Sequence, residues 1–145
     1  MKIFNKKARF DYQLFDRIEA GISLEGHEAK SAFLGRLILD DAFVKVGKGQ
    51  AYLVNAHIPQ YESARVFGYD PNRIRRLLIH KKEILALETK IKQKKLTLIP
   101  VACYNIGRRI KIELALAKNK RKFEKKAAVK KREQEREMER KFENF

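Results

Sequence analysis

The chain has little of what disulfide-linked, metal-binding or membrane-spanning proteins need. It contains one cysteine, Cys103, which excludes an internal disulfide and a metal site built from several cysteines. The neighbours of Cys103 are apolar or aromatic, so we expect a buried thiol that packs as a small hydrophobic side chain. No apolar run approaches the ~20 residues of a membrane-spanning helix, and residues 1–7 lack the apolar stretch of a signal peptide. These absences predict a cytoplasmic protein with no membrane partner.

Acidic residues are scarce relative to basic ones. The 145 residues include 34 Lys and Arg against 18 Asp and Glu, which gives a formal net charge of +16. Residues 1–117 contain 22 basic and 12 acidic side chains, and residues 118–145 contain 12 basic and six acidic ones, so both parts are basic. A soluble protein of this charge is expected to bind a polyanion, and nucleic acid is the first candidate, ahead of an anionic membrane surface.

Apolar residues alternate with period two along much of the chain, which is the pattern of half-buried strands. A glycine turn at residues 47–49 joins two of these strands into a hairpin, and Pro100 requires a bulge or an edge position in another. The predicted strands cover residues 10–14, 18–24, 42–46, 51–58, 96–104 and 110–117.

Helical spacing predicts two short helices. Residues 28–34 form the first, with Phe33 facing inward, and residues 81–94 form the second. Residues 2–9 are expected to be loose, and residues 60–72 to form a long surface loop. Short strands, brief helices and a basic surface together predict a mainly β protein, a closed antiparallel barrel of the oligonucleotide-binding (OB) kind.

A basic tail follows the last predicted strand. We expect an RNA-binding domain at residues 1–117 and a tail at residues 118–145, because nine basic residues and one acidic residue fill residues 118–132. The apolar stripe of the tail is too narrow to dock on the domain, so the tail is predicted to be disordered alone and helical when bound. That stripe consists of Phe123, Ala127, Met138 and Phe142.

Glu19 is the one acidic residue that stands out within a predicted strand. It lies on the opposite parity from Ile18 and Ala20, so its side chain should point away from the core. Gly21 beside it leaves the backbone accessible to another group.

Two other classes of protein share part of this pattern. A metal-dependent nuclease could use Asp40, Asp41, His57 and Glu62, but no ligand spacing recommends them, and Asp40 and Asp41 fit a turn better. A generic basic RNA-binding protein or a ribosomal structural protein would share the barrel, the charge and the tail. Composition and strand pattern leave that alternative open.

Several stretches have a more specific content, and in order and spacing they resemble the SmpB (small protein B) family. The resemblance runs from Asn5 into the tail, and its stretches are Asn5-Lys6-Lys7-Ala8-Arg9, Glu19-Ala20-Gly21-Ile22, Gly26-His27-Glu28-Ala29-Lys30-Ser31, Asp70-Pro71, Arg76-Leu77-Leu78-Ile79-His80-Lys81-Lys82-Glu83-Ile84 and Ile112-Glu113-Leu114-Ala115-Leu116-Ala117-Lys118. The chain departs from the family pattern at Asn119, where a glycine is usual, and at Phe33, where an arginine is frequent.

The resemblance implies an RNA-binding protein of bacterial trans-translation that is not an enzyme and needs no cofactor or metal. Such a protein binds the tRNA-like domain of transfer-messenger RNA (tmRNA) and delivers it to the A site of stalled ribosomes. Its tail probes the empty mRNA channel next to the decoding centre. The implied protein is a monomer that meets elongation factor Tu and alanyl-tRNA synthetase only indirectly, through tmRNA.

The resemblance also implies two sets of site residues. The RNA-binding set in the body is Glu19, Lys30, Arg76, Leu78, His80 and Lys111. The ribosome-binding set in the tail is Lys118, Lys120, Arg121, Lys122, Glu124, Lys125, Lys126, Lys130 and Lys131.

Overall fold

The computed structural model describes residues 1–64, 66–120, 132, 133 and 136. The described part is a mainly antiparallel β structure with short helices, which confirms the predicted class. Its elements are β1 (Lys2–Phe4), α1 (Ala8–Asp11), β2 (Tyr12–Ile22), α2 (Gly26–Phe33), β3 (Phe43–Gly47), β4 (Gln50–Val54), β5 (Arg75–Leu78), α3 (Lys81–Lys94), β6 (Thr97–Ile106) and β7 (Arg109–Asn119).

The seven strands form one sheet in the order β1-β6-β3-β4-β5-β2-β7. Every pairing is antiparallel. β6 also pairs with β7, with Leu98 opposite Leu116 and Cys103 opposite Ile112. β7, the last strand in this order, is therefore hydrogen-bonded to β6, the second strand from the other end.

The core is formed by alternate residues of the strands. Leu53, Leu98, Ile112, Leu114 and Leu116 are almost completely buried there. Each such side chain stabilises the fold by about 1.5–3 kcal/mol through removal from water. As predicted, the single cysteine is buried in this core, and desolvation raises the pKa of its thiol to about 12, so the group stays protonated near neutral pH.

The last strand is more buried than its alternation predicts. Besides the expected apolar positions, Ala115 and Ala117 are fully buried. Ala117 packs with Ala8 and Ile99 in a second, smaller cluster. The residues before β2 therefore cover the outer side of β6 and β7, and the small alanine side chains permit that close approach.

The N-terminal segment is ordered, so the prediction of loose residues 2–9 was wrong. β1 pairs with β6, and Asn5 fixes the chain beyond it through two hydrogen bonds. Its Nδ2 donates to the Pro100 carbonyl at 2.8 Å, and its Oδ1 accepts from the Ala8 N–H at 3.2 Å. Phe10, predicted to begin a strand, lies in α1 instead.

The two strands predicted at residues 10–14 and 18–24 are one strand, β2. Its register against β7 shifts between Leu14 and Arg17, which places a bulge at the polar break that suggested two strands. Pro100 was predicted to require a bulge or an edge position, and the structure has the bulge, since the register of β6 shifts between Pro100 and Ala102.

Turns and helices agree more closely with the sequence. α3 has the predicted bounds, and the turn at residues 47–49 joins β3 to β4, with Lys48 and Gly49 at φ of 52° and 73°. The strand predicted to reach residue 58 ends at Val54. Phe33, predicted to face inward, is 40 % exposed, because Ala32 is the residue that packs into the core.

The ordered body extends past the boundary predicted at Ala117. β7 continues to Asn119, and the N–H of Lys120 donates to the Asp11 carbonyl at 3.0 Å. The ammonium group of Lys120 also donates to the Arg9 carbonyl at 2.7 Å. The predicted tail-site residues Arg121, Lys122, Glu124, Lys125, Lys126, Lys130 and Lys131 lie outside the described residues, as do the stripe residues Phe123, Ala127, Met138 and Phe142.

Three residues of the C-terminal segment are described. Arg132, Glu133 and Arg136 have helical backbone and exposed side chains. Within the described part of the chain, no helix has the length and hydrophobicity required to cross a membrane.

Candidate RNA-binding surface

The junction of β2, β5 and β7 brings several predicted site residues together. Gly21 on β2 pairs with Leu78 on one side and with Lys111 on the other. A side chain at Gly21 would bring its Cβ to 3.2 Å from the Leu78 Cβ, so the missing side chain permits this close pairing. Leu78 is 56 % exposed although it is a large apolar residue. The junction therefore presents an apolar side chain next to a cation.

A hollow of about 390 Å³ opens beside Leu78. Its walls are mostly apolar, and three basic residues from the β6–β7 turn and the start of β7 give it a positive rim. The lining residues are Gly21, Ile22, Leu24, Ala29, Leu78, Arg108, Arg109, Ile110 and Lys111. The sequence prediction missed Arg108 and Arg109, although paired arginines after a glycine in a hairpin turn were a signal for them.

Glu19 lies at an exposed position on β2, as its parity predicted. It faces Glu113 across the β2–β7 pair, and Arg17 Nη1 donates to Glu113 at 3.0 Å. The hydroxyl of Tyr104 donates to Glu19 Oε2. That hydrogen bond, followed by desolvation, raises the pKa of Tyr104 to about 12. Tyr104 thus anchors the Glu19 carboxylate, a contact that no local pattern reveals because 85 positions separate the two residues.

Arg76 and His80 lie on the other side of Leu78. Both line a second hollow of about 260 Å³ between the β3–β4 turn and the start of α3, and Leu78 lies on the border of both hollows. His80 is the residue before α3 and its side chain makes no capping hydrogen bond. The carbonyl of Arg76 accepts from the Ser23 N–H at 2.9 Å, which ties β5 to the end of β2.

Lys30 is a predicted RNA-binding residue that lies on α2, outside the junction of β2, β5 and β7. It is exposed on α2, and its ammonium group lies 5.6 Å from the centroid of the Tyr61 ring. The contact is a cation–π interaction with the loop at residues 60–72. Lys30 lines neither hollow at Leu78, although the preceding Ala29 lines one of them.

A buried ionic network fixes the elements that carry this surface. Glu28 on α2 and Arg75 at the start of β5 are both inaccessible to solvent. Arg75 donates to Glu28 Oε2 from Nε at 2.9 Å and from Nη2 at 2.6 Å. Arg73 also donates to Glu28, and the Tyr69 hydroxyl lies 3.0 Å from its Oε2. Arg75 further donates to the carbonyls of Ala56 at 2.7 Å and Pro71 at 3.0 Å.

The network determines the ionisation of Glu28. Desolvation alone would raise the pKa of this carboxyl, but hydrogen bonds from Arg73, from the Glu25 N–H and from Arg75 outweigh it and lower the pKa to about 2. Sequence reasoning missed the network, because a Glu and an Arg at unrelated positions are expected on the surface.

The residues considered for a nuclease do not converge. Asp41 pairs with Lys7 at 3.1 Å, and His57 Nδ1 lies 2.9 Å from Asn72 Oδ1. Glu62 pairs with Arg36 at 3.5 Å. Nowhere in residues 1–64 and 66–120 do three or more His, Cys, Asp or Glu side chains come together as they would around a metal ion. The geometry therefore gives the nuclease alternative no support.

Comparison with known proteins decides the family. The family model described as SmpB protein matches residues 2–144. The chain belongs to the SmpB family. The resemblance seen in the sequence motifs is thereby confirmed, and the match includes both β5, the strand that carries Leu78, and the basic C-terminal segment.

Members of the SmpB family with curated names are similar over nearly the whole chain. The SsrA-binding protein of Sulfurihydrogenibium sp. (strain YO3AOP1) is 47% identical over 138 residues, covering 95% of this chain and 91% of the relative. That of Enterococcus hirae is 41% identical over 141 residues, covering 97% and 92%. A chain from the solved structure described as "tmRNA-SmpB: a journey to the center of the bacterial ribosome" is 39% identical with a TM-score of 0.70, covering 88% of this chain and 94% of that one.

Proposed function

We propose that this SmpB-family protein binds the tRNA-like domain of tmRNA and delivers it to the A site of stalled ribosomes in trans-translation. One observation carries the proposal: relatives named SsrA-binding protein align with 95% and 97% of the chain at 47% and 41% identity. The similarity to a chain of a tmRNA–SmpB structure supports it. The basic rim around an exposed leucine supplies surface chemistry that suits a folded RNA.

The proposed RNA contact is centred on Leu78. Its exposed side chain packs against a ribose or base, while Lys111 and Arg76 on its two sides contact phosphates. Glu19 repels phosphate, so it accepts a hydrogen bond from a base amino group or a 2′-hydroxyl. His80 donates or accepts a hydrogen bond at the edge of the same contact. Lys30 adds a cation next to the loop at residues 60–72.

In this proposal the body is a closed OB-like barrel. The additional pairing of β6 with β7 supports closure, because it links the strands of the sheet into a ring that β1 extends. We place the end of the body after Lys120 rather than after Ala117, since β7 and its contacts extend that far. The remaining residues form the separate ribosome-binding tail.

The tail is proposed to enter the empty mRNA channel and to become helical there. A cationic segment fits that channel only when no mRNA phosphate chain occupies it, so stalling is recognised without reading a base sequence. The helical backbone of Arg132, Glu133 and Arg136 supports this conformation. The protein acts as a monomer without a cofactor, and elongation factor Tu and alanyl-tRNA synthetase are reached through tmRNA.

Purification from a lysate followed by sequencing of the bound RNA tests the function. Enrichment of tmRNA supports the proposal, whereas ribosomal RNA alone favours a ribosomal structural protein. The surface is tested by Glu19→Ala, Leu78→Ala and His80→Ala, each expected to weaken tmRNA binding by about 1–3 kcal/mol. Leu85→Ala is the matched control, because Leu85 is 51 % exposed on α3, close to the 56 % of Leu78. Equal losses for Leu78→Ala and Leu85→Ala would contradict the proposed surface.

A further inference from the structure

Another hollow lies at the opposite end of β2 from Leu78. It has a volume of about 270 Å³ and shares no lining residue with either hollow at Leu78. Phe15 on its edge and Gly21 at the Leu78 junction are six positions apart on one strand, a separation of about 20 Å. The lining residues are Phe15, Asp16, Lys90, Lys94, Leu96, Leu116 and Lys118.

The bulge of β2 brings Phe15 to this hollow. Leu14 pairs with Ala117 and Arg17 with Ala115, so Phe15 and Asp16 together oppose the single residue Leu116. A bulge of this kind redirects side chains, and bulges are frequent next to functional sites. Phe15 is 42 % exposed. An aromatic face is therefore open to solvent at the mouth of the hollow.

Lysines from two elements line the same hollow as Phe15. Lys90 and Lys94 come from the C-terminal half of α3, and Lys118 comes from the end of β7. Lys90 is engaged with Asp16 at 3.0 Å. The side chains of Lys94 and Lys118 make no hydrogen bond or ion pair with any residue in the described ranges, and both are exposed. Lys94 interacts with Asp16 only through its charge, which, after the hydrogen bond and charge of Lys90, helps to lower the pKa of that carboxyl. Two cations next to an open aromatic face are thus available to an anionic ligand.

We infer that this hollow binds one nucleotide of a single-stranded RNA segment, with its base on Phe15 and its flanking phosphates on Lys94 and Lys118. Stacking on an aromatic side chain within a cationic groove is the usual way in which proteins hold single-stranded nucleic acid. The apolar floor formed by Leu96 and Leu116 suits a base rather than a free phosphate ion. Asp16 does not repel the phosphates strongly, because Lys90 neutralises it.

The inference rests on the proposed RNA-binding function and adds a second RNA site to the body. The two sites lie at opposite ends of the β2–β7 pair, since Gly21 pairs with Lys111 and Gln13 with Lys118. One body could therefore hold two RNA segments at once. The nucleotide at Phe15 could come from tmRNA or from ribosomal RNA, which present the same chemistry.

A decauridylate titration of the full-length protein tests the site directly. Phe15→Ala should weaken binding between about fivefold and 150-fold, the range found when a stacking partner is removed, and leave the salt dependence unchanged. Lys94→Gln with Lys118→Gln should instead reduce the slope of log affinity against log salt by about 1.4, the value for two lost phosphate contacts on a single strand. Phe15→Leu preserves the bulk of the side chain but not the ring, and should resemble Phe15→Ala.

The matched control is Lys45→Gln with Lys92→Gln. It removes the same charge from exposed lysines on β3 and α3 that do not line the hollow. Nuclear magnetic resonance of the wild-type chain should show shifts of the Phe15 ring and of the Lys94 and Lys118 amides on addition of decauridylate. The inference is overturned if these resonances do not move and the Phe15 variants bind as tightly as the control.

Titrations with a tmRNA transcript and with vacant ribosomes identify the source of the nucleotide. A loss confined to ribosomes assigns the site to ribosomal RNA, and a loss confined to the transcript assigns it to tmRNA. If all Phe15 and lysine variants match the control in every titration, the second site does not exist, while wild-type preference for tmRNA over bulk tRNA would still support the proposed function. Absence of that preference in the wild type would contradict the proposed function itself.

Discussion

Glu28 connects the interior of the protein to its proposed RNA-binding surface. Its partner Arg75 directly precedes Arg76, and Lys30 lies two positions after Glu28 on α2. Replacing both members of a buried ion pair by apolar residues can be harmless, but removing one member leaves an unpaired buried charge and costs about 3–5 kcal/mol. The network therefore makes the relative position of α2 and β5 sensitive to one carboxylate.

Glu28→Gln should remove a pH-dependent part of the stability. The hydrogen bonds in the network lower the folded-state pKa of Glu28 from 4.5 to about 2, against the effect of desolvation. The carboxylate therefore stabilises the fold fully above about pH 4.5, by about 3 kcal/mol, and this contribution is lost as the pH falls towards 2. Urea unfolding from pH 7 to pH 2.5 should show a smaller loss of unfolding free energy in the variant than in the wild type.

The control for this prediction is Glu62→Gln. Glu62 forms an exposed ion pair with Arg36, so its removal should change the unfolding free energy by less than about 1 kcal/mol. Identical pH profiles for the wild type and Glu28→Gln would show that the buried network does not determine acid stability.

Gly21→Ala should disturb the RNA surface more than the core. The added Cβ would lie 3.2 Å from the Leu78 Cβ, so Leu78 must move, at a cost of about 1 kcal/mol or more. We expect a modest fall in the unfolding free energy and weaker tmRNA binding, measured by urea unfolding and by RNA titration. Gly26→Ala is the control, because no atom lies within 4 Å of its added Cβ. Equal RNA affinity in both variants would show that Leu78 need not be placed by Gly21.

The sequence predicts the environment of some residues but not of others. Alternation correctly predicted that Glu19 points outward, because parity along a strand is a local property. The hydrogen bond from Tyr104 and the burial of Arg75 depend on residues that meet only in the folded chain. Local periodicity contains no information about such contacts.

Helices and strands, like single residues, could be predicted only where a local pattern defines them. α3 could be predicted with its observed bounds because 14 residues contain almost four helical periods. β1 and α1 have three and four residues, too few to show a period, and they are stabilised by contacts with β6. The bulge in β2 was mistaken for a break between strands, since a bulge interrupts alternation as a turn does.

The end of β7 gives a prediction at the scale of an element. A chain that ends after Lys120 should keep the thermal midpoint of the full chain, whereas one that ends after Ala117 should melt at least roughly 5 °C lower. The shorter chain loses the pairing of Lys118 with Gln13, that of Asn119 with Tyr12, and the Lys120 hydrogen bonds. Calorimetry or circular dichroism measures both midpoints. Coincident transitions would place the end of the body at Ala117, as the sequence alone predicted.

The whole molecule combines two basic parts that should act at different steps. The body carries exposed cations around Leu78 on a surface fixed by a buried network. Beyond Lys120 the chain carries further lysines and arginines. Both parts are basic, so charge does not distinguish the role of the body from that of the tail. Variants of each part must be compared by the function that each one loses.

Truncation after Lys120, or Lys125→Ala with Lys126→Ala, should uncouple RNA binding from ribosome rescue. The residues from Glu19 to Lys111 that form the proposed tmRNA surface are all retained, so tmRNA affinity should change little. Peptide tagging of nascent chains on stalled ribosomes should fall sharply, because the cationic segment that we propose enters the empty mRNA channel is removed or weakened. Leu78→Ala should show the opposite order, with tmRNA affinity lost first and tagging lost as a consequence.

Both quantities must be measured on the same variants, because either one alone is ambiguous. At tmRNA concentrations well above the dissociation constant, Leu78→Ala should recover tagging by mass action, since its defect is in binding. The tail variants should not recover, since their tmRNA is already bound. If instead the tail variants lose tmRNA affinity in proportion to tagging and recover at high tmRNA concentration, the tail is a further RNA-binding segment and does not probe the mRNA channel.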